Sequence, residues 1–79
     1  MNVTIHYFAM LRERSGVDSE IVETSAVDAR GLWEETNHRR KFGLDRAQFS
    51  VAVNDTFVEW NHALVDGDQL VFLPPVSGG

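Results

Sequence analysis

The last six residues, Pro74-Pro75-Val76-Ser77-Gly78-Gly79, hold the one pattern in this chain whose residue types point to a reaction. Two prolines keep the base of such a segment extended, because each ring fixes φ and offers no backbone donor. The glycines beyond them carry no Cβ, so Gly78 and Gly79 fit a passage that any side chain would block. The group delivered at the tip is the α-carboxylate of Gly79. With a pKa of about 3.5 it is a poor electrophile at neutral pH. Joined to AMP it gains a leaving group, and a sulfur or nitrogen nucleophile can attack its carbonyl carbon. Two terminal glycines arise by chance in only about 0.5% of chains at ordinary glycine usage, which favours use over accident. A frayed terminus or a trimmed linker is the competing reading.

The remaining side chains offer no comparable centre. His6, His38 and His62 share no ligand spacing, and the chain has no cysteine to help them hold a metal. The lack of cysteine also excludes a disulfide framework and a thiol nucleophile. No glycine-rich loop joins a strand to a helix, so a phosphate cradle is not expected. Arg39-Arg40-Lys41 reads as a cationic helix end rather than a phosphate contact. Asp66-Gly67-Asp68 reads as a turn rather than a carboxylate pair, Trp33 as core, and Trp60 as cover for a sheet edge. Twelve acidic against seven basic residues give a net charge of −5, unsuited to nucleic acid and suited to a basic partner. No apolar run nears the roughly 20 residues that cross a bilayer. Met1 to Arg12 lacks the basic and apolar regions of a secretory signal. The expectation is a cytoplasmic protein without membrane association.

Seventy-nine residues make one small domain, read as a globular body over 1–73 and a tail over 74–79. Val3 to Ala9 alternates with the period of a strand, with Val3, Ile5 and Tyr7 inward and Thr4, His6 and Phe8 outward. Ala9 to Arg14 predicts a helical turn closed by Ser15-Gly16, and Ser19 to Thr24 a second strand. Ser25-Ala26-Val27-Asp28 predicts a capping box opening a helix. Ala29, Leu32, Trp33 and Thr36 form its buried stripe, Arg39, Arg40 and Lys41 its last turn, and Gly43 its stop. Gly31 inside it costs about 1 kcal/mol against alanine. Phe49 to Val53 and Thr56 to Val58 read as strands joined by the Asn54-Asp55 turn, and Gln69 to Leu73 as the last strand, ended by the prolines. This order predicts an α+β roll of the β-grasp kind. One helix covers one face of a mixed sheet, and the first and last strands are central parallel neighbours. Phe8, Val71 and Leu73 then share the outer parity, and Phe57 follows the turn. Together the four predict an exposed apolar patch beside the root of the tail, where a partner docks. Partial burial of Phe57 is the alternative.

Ala52-Val53-Asn54-Asp55-Thr56, the Asp66-Gly67-Asp68 turn and the run Phe72-Leu73-Pro74-Pro75-Val76-Ser77-Gly78-Gly79 resemble the sulfur-carrier subunits of molybdopterin synthase, a ubiquitin-like family. Tyr7-Phe8-Ala9-Met10-Leu11-Arg12-Glu13 looks like that family's first strand and turn. The resemblance runs the whole length, although Ala29 to Gln48 carries nothing distinctive. It implies that Gly79 is adenylated by an ATP-dependent activating enzyme related to ubiquitin-activating enzymes and then converted to a thiocarboxylate. It further implies that Pro74 to Gly78 lead that end into a large subunit, within a heterotetramer, where the sulfur passes to cyclic pyranopterin monophosphate. The chain itself would bind no cofactor, and the catalytic side chains would lie on the large subunit. Three other readings stay open. Thiamine-type carriers share the double glycine without the Pro-Pro pair, a ubiquitin-like modifier would end in an isopeptide bond from Gly79, and an interaction domain would carry the tail incidentally.

Overall fold

The computed structural model describes residues 1–74. Strand β1 (Asn2–His6) points Val3 and Ile5 into the core. The chain leaves it earlier than the alternation predicts. Tyr7 is still buried and donates its N–H to the Asp18 carbonyl at 2.8 Å, but Ala9 then turns to φ 48°, ψ −122°. Helix α1 (Met10–Ser15) follows, buries Leu11 and ends on Gly16 in the left-handed region. Strand β2 (Ser19–Glu23) returns antiparallel to β1, with Val22 opposite Val3.

Helix α2 (Ala29–Arg40) starts one turn later than the predicted capping box. Its N-cap is Asp28, whose Oδ1 accepts from the Gly31 N–H at 2.8 Å. Ser25 cannot take that role because the segment before Asp28 is held extended. Val27 accepts from the Leu64 N–H at 3.0 Å, and Asp28 bridges Ala63. Gly31 has a reason for lacking a side chain, since a Cβ there would sit 3.3 Å from both the Ala26 Cβ and the capping carboxylate. The helix ends at Lys41, two residues before the predicted Gly43. Lys41 is left-handed, and its N–H returns to the carbonyls of Asn37 and His38. The Asn37 amide then closes the loop against the backbone of Leu44.

A 3-10 turn (Arg46–Gln48) precedes strand β3 (Ser50–Val53), so Phe49 closes a turn instead of opening the strand. Strand β4 (Thr56–Val58) pairs back on β3 through Asn54 and Asp55, at φ 51° and 69°, as a type I′ hairpin requires. Strand β5 (Gln69–Leu73) runs between β1, to which it is parallel, and β3, to which it is antiparallel. The sheet order is β2-β1-β5-β3-β4, which puts the first and last strands side by side as the alternation predicts.

Helix α2 packs Ala29, Leu32, Trp33 and Thr36 onto the inner face of this sheet. Trp33 meets Phe72 edge-on at 5.1 Å and Phe49 at 4.8 Å. Trp60, from the loop after the edge strand, stacks on Phe72 at 6.0 Å and 17°, with the Arg46 guanidinium 5.4 Å from its ring. It covers the core beside that edge, as the sequence leads one to expect.

Candidate functional site

The outer face of the sheet carries Phe57, Val71 and Leu73, three of the four residues expected to form a patch. Register puts Phe57 of β4 opposite Ala52 of β3, Ala52 opposite Val71 of β5, and Val71 opposite His6 of β1. One row therefore crosses four strands. Val51, Val53, Leu70 and Phe72 all belong to the helix-side core, so Ala52 and Val71 face away from it. Ala52 is nevertheless only 6% exposed, which makes it the floor between Phe57 and Val71. Sequence reading missed Ala52, although its parity opposite to Val51 and Val53 was the available signal. Phe57 is 69% exposed, which removes the alternative of its partial burial in the core. Leu73 lies two residues along the same face and is half-buried, opposite Ser50. Phe8, 60% exposed, lies two residues past His6 as Leu73 lies two past Val71, but β1 has ended by then and no strand pairing holds it. Pro74 is half-buried at the root of the tail. Pro75, Val76, Ser77, Gly78 and Gly79 lie outside the described residues.

Behind Phe8 the structure is tied down by a polar hub. The Tyr7 hydroxyl donates to Glu20 Oε2, while Arg39 and Arg40 each reach the same carboxylate at 2.9 Å. The Arg40 guanidinium also lies 5.6 Å from the Tyr7 ring centre. Burial pushes the Glu20 carboxyl up, but hydrogen bonds from Arg39, Tyr7 and Arg40 outweigh it and hold the group at about 2. Burial, and then the Glu20 carboxylate, push the Tyr7 phenol up to about 12. The Arg39 guanidinium is held above its ordinary value by the Glu20 hydrogen bond. Arg39 and Arg40 are thus bound to a strand, and not only matched to the helix dipole. Glu20 shares parity with Val22, so the period of β2 was the signal that could have placed it on the helix side.

A second polar cluster fixes where β5 begins. Asp68, 5% exposed, accepts from the Asn54 amide at 3.0 Å and the Val65 N–H at 2.9 Å. Asn54 Oδ1 accepts from the Gln69 N–H at 3.0 Å. The Asp66-Gly67-Asp68 segment is a turn, as read, with Gly67 at φ 90° and Asp66 capping the Asn2 N–H at 2.7 Å. His6 sits on the outer face with Nε2 2.8 Å from the Gln69 amide oxygen. Among the described residues no three His, Asp or Glu side chains gather as a metal site, and no helix is long and apolar enough to cross a membrane.

A five-stranded mixed sheet crossed by one main helix, with parallel terminal strands and an apolar outer face leading to the tail, defines a ubiquitin-like β-grasp domain. Residues 5–79 match the ThiS family, and the chain belongs to that family. The molybdopterin synthase sulfur carrier subunit of Escherichia coli (strain K12) is 32% identical to it over 80 residues, spanning 98% of this chain and 99% of the relative. A solved Pyrococcus furiosus structure, described as a molybdopterin converting factor, subunit 1, is 35% identical, with a TM-score of 0.82 over 96% of this chain and 99% of that one. A subunit in the solved complex of subunits 1 and 2 of the Helicobacter pylori 26695 molybdopterin-converting factor is 25% identical, with a TM-score of 0.70 over 100% of both chains.

Proposed function

We propose that this chain is the sulfur-carrier subunit of a molybdopterin synthase. The observation that carries the reading is its end-to-end likeness to a subunit of that name at 32% identity, in a chain that finishes Pro-Pro-Val-Ser-Gly-Gly. An ATP-dependent activating enzyme joins the Gly79 carboxylate to AMP and releases pyrophosphate. A sulfur donor then displaces AMP and leaves a thiocarboxylate. The tail presents that sulfur inside a large subunit, the sulfur bonds to a carbon of cyclic pyranopterin monophosphate, and water attacks the Gly79 carbonyl carbon and breaks its C–S bond, which leaves the sulfur on the pterin and returns Gly79 to a carboxylate. This chain supplies position. Phe8, Phe57, Val71 and Leu73 dock on the large subunit beside the root of the tail. Docking makes the transfer a step within one complex, with the gain that holding two reactants together brings. The Helicobacter pylori complex of two converting-factor subunits supports a two-subunit assembly.

Intact mass tests the reading. With activating enzyme, ATP and a sulfur donor, the chain should gain the mass difference between one sulfur and one oxygen, and a chain lacking Gly79 should gain nothing. A ladder of conjugates without that species would point to a protein modifier instead, and no change in either chain would remove the carrier role.

A further inference from the structure

We propose that Ala52 is a specificity-determining residue of the docking face, its small side chain letting Phe57 of β4 and Val71 of β5 close over β3 into one surface, an inference that rests on the carrier reading above. Ala52 faces away from the core on the strand between β5 and β4, yet it is only 6% exposed. Other side chains on the outer face must therefore cover its methyl group. Asn54 and Gln69 are turned elsewhere. The Asn54 amide is held by Asp68 and the Gln69 N–H, and the Gln69 amide oxygen lies 2.8 Å from His6 Nε2. Ser50 is short, exposed and two residues away, about 7 Å along the strand. What remains is the pair in direct register, Phe57 on one side and Val71 on the other, each about 5 Å away between Cβ atoms. Leu73, opposite Ser50, reaches the same spot only on the diagonal.

Phe57 and Val71 stand on strands that do not pair with each other, about 10 Å apart across β3. A side chain no longer than a methyl lets them meet above it. A longer one would rise between them, turn the Phe57 ring aside and leave a ridge along β3. The core of an interface packs as densely as a protein interior, so such a ridge excludes a partner shaped to the parent face. The fold itself has no need of alanine here, since larger β-branched residues suit an outward position on a strand.

Two readouts test the proposal. In the free chain, Ala52→Cys should react slowly with iodoacetamide, and several-fold faster once Phe57→Ala removes its cover, because the reacting thiolate must be accessible. That labelling needs no partner, so it judges the closed face apart from the carrier reading. Affinity for the large subunit should fall in step with added bulk through Ala52→Cys, Ala52→Val and Ala52→Leu, by about tenfold to a hundredfold at the last. Melting temperature should not fall with it, and if Ala52→Leu does not fold, the two smaller steps carry the comparison. In the Phe57→Ala background, where the added bulk has room, the penalty of each step should shrink to about twofold or less. Labelling equally fast with and without Phe57, affinity unchanged across the series, a loss of affinity that tracks melting temperature, or the same penalty in both backgrounds would each overturn the proposal. If Phe57→Ala alone leaves affinity unchanged, docking through this face falls and the proposal with it. Thiocarboxylate formation at Gly79 is read separately by mass and would still report on the carrier function.

Discussion

Glu20 gathers the Tyr7 hydroxyl and two guanidinium groups onto one carboxylate, and that convergence makes the fold sensitive to pH at both ends of the scale. The carboxyl is held at about 2 against an ordinary 4.5. A depressed acid adds stability that is complete above pH 4.5 and is lost as pH falls through that value towards 2. The Tyr7 phenol, raised from 10 to about 12, favours its neutral form when folded. Its contribution is complete below pH 10 and drains away as pH climbs towards 12. Thermal unfolding followed across pH should show both arms. Glu20→Gln should flatten the acid arm and cost about 2 kcal/mol at pH 7, the order expected when a part-buried network loses its charged centre. An acid arm of the same depth in Glu20→Gln would assign it to other carboxylates. The hub was only half legible in the sequence. Tyr7 reads as inward by alternation, but Arg39 and Arg40 find Glu20 only once β2 is folded beside the end of the helix. Ala9 gave no signal at all, since nothing in an alanine announces a positive φ that its neighbours impose.

Helix α2 shows how two local solutions compete and tertiary pairing decides. Ser25 and Asp28 are both good caps by type, and the spacing between them satisfies the capping box. The Val27–Leu64 hydrogen bond and the Asp28–Ala63 bridge hold the chain extended up to Asp28, so only Asp28 can cap. Asp28→Ala should therefore cost about 1 kcal/mol, and Ser25→Ala almost nothing. In a domain of this size the first is a fall in melting temperature of about 4–8 °C. Equal losses from the two would restore Ser25 to the cap. Gly31→Ala should stay within about 0.5 kcal/mol of the parent, because the helix propensity gained is offset by a methyl pressed against Ala26 and the capping carboxylate. The strands were easier to read than the helix ends. Alternation in Val3-Thr4-Ile5 and Leu70-Val71-Phe72 reports which face is dry, whereas a helix terminus depends on what else is bonded to the segment before it.

At the scale of the molecule, adjacency of β1 and β5 follows from two strongly alternating strands at opposite ends of the chain, and one helix suffices to cover their inner face. The row on the outer face is legible only through the register, because pairing alone aligns Phe57, Ala52 and Val71. The position of β5 has a mechanical consequence. A pull applied at the C-terminal end of β5 acts along the axis of a strand gripped on both flanks, by Thr4, Ile5 and His6 on one side and by Ser50 to Val53 on the other. Under such a load the bonds of both ladders are strained together in shear, whereas a hairpin opened from its free ends yields one rung at a time. Single-molecule stretching between the two termini should then demand a higher rupture force than stretching between Ser50 and Val58, which unzips β3 from β4. A rupture force no higher between the termini would show that the flanking strands do not share the pull. If they do share it, the domain can be tugged from a tight passage by its own end without coming apart.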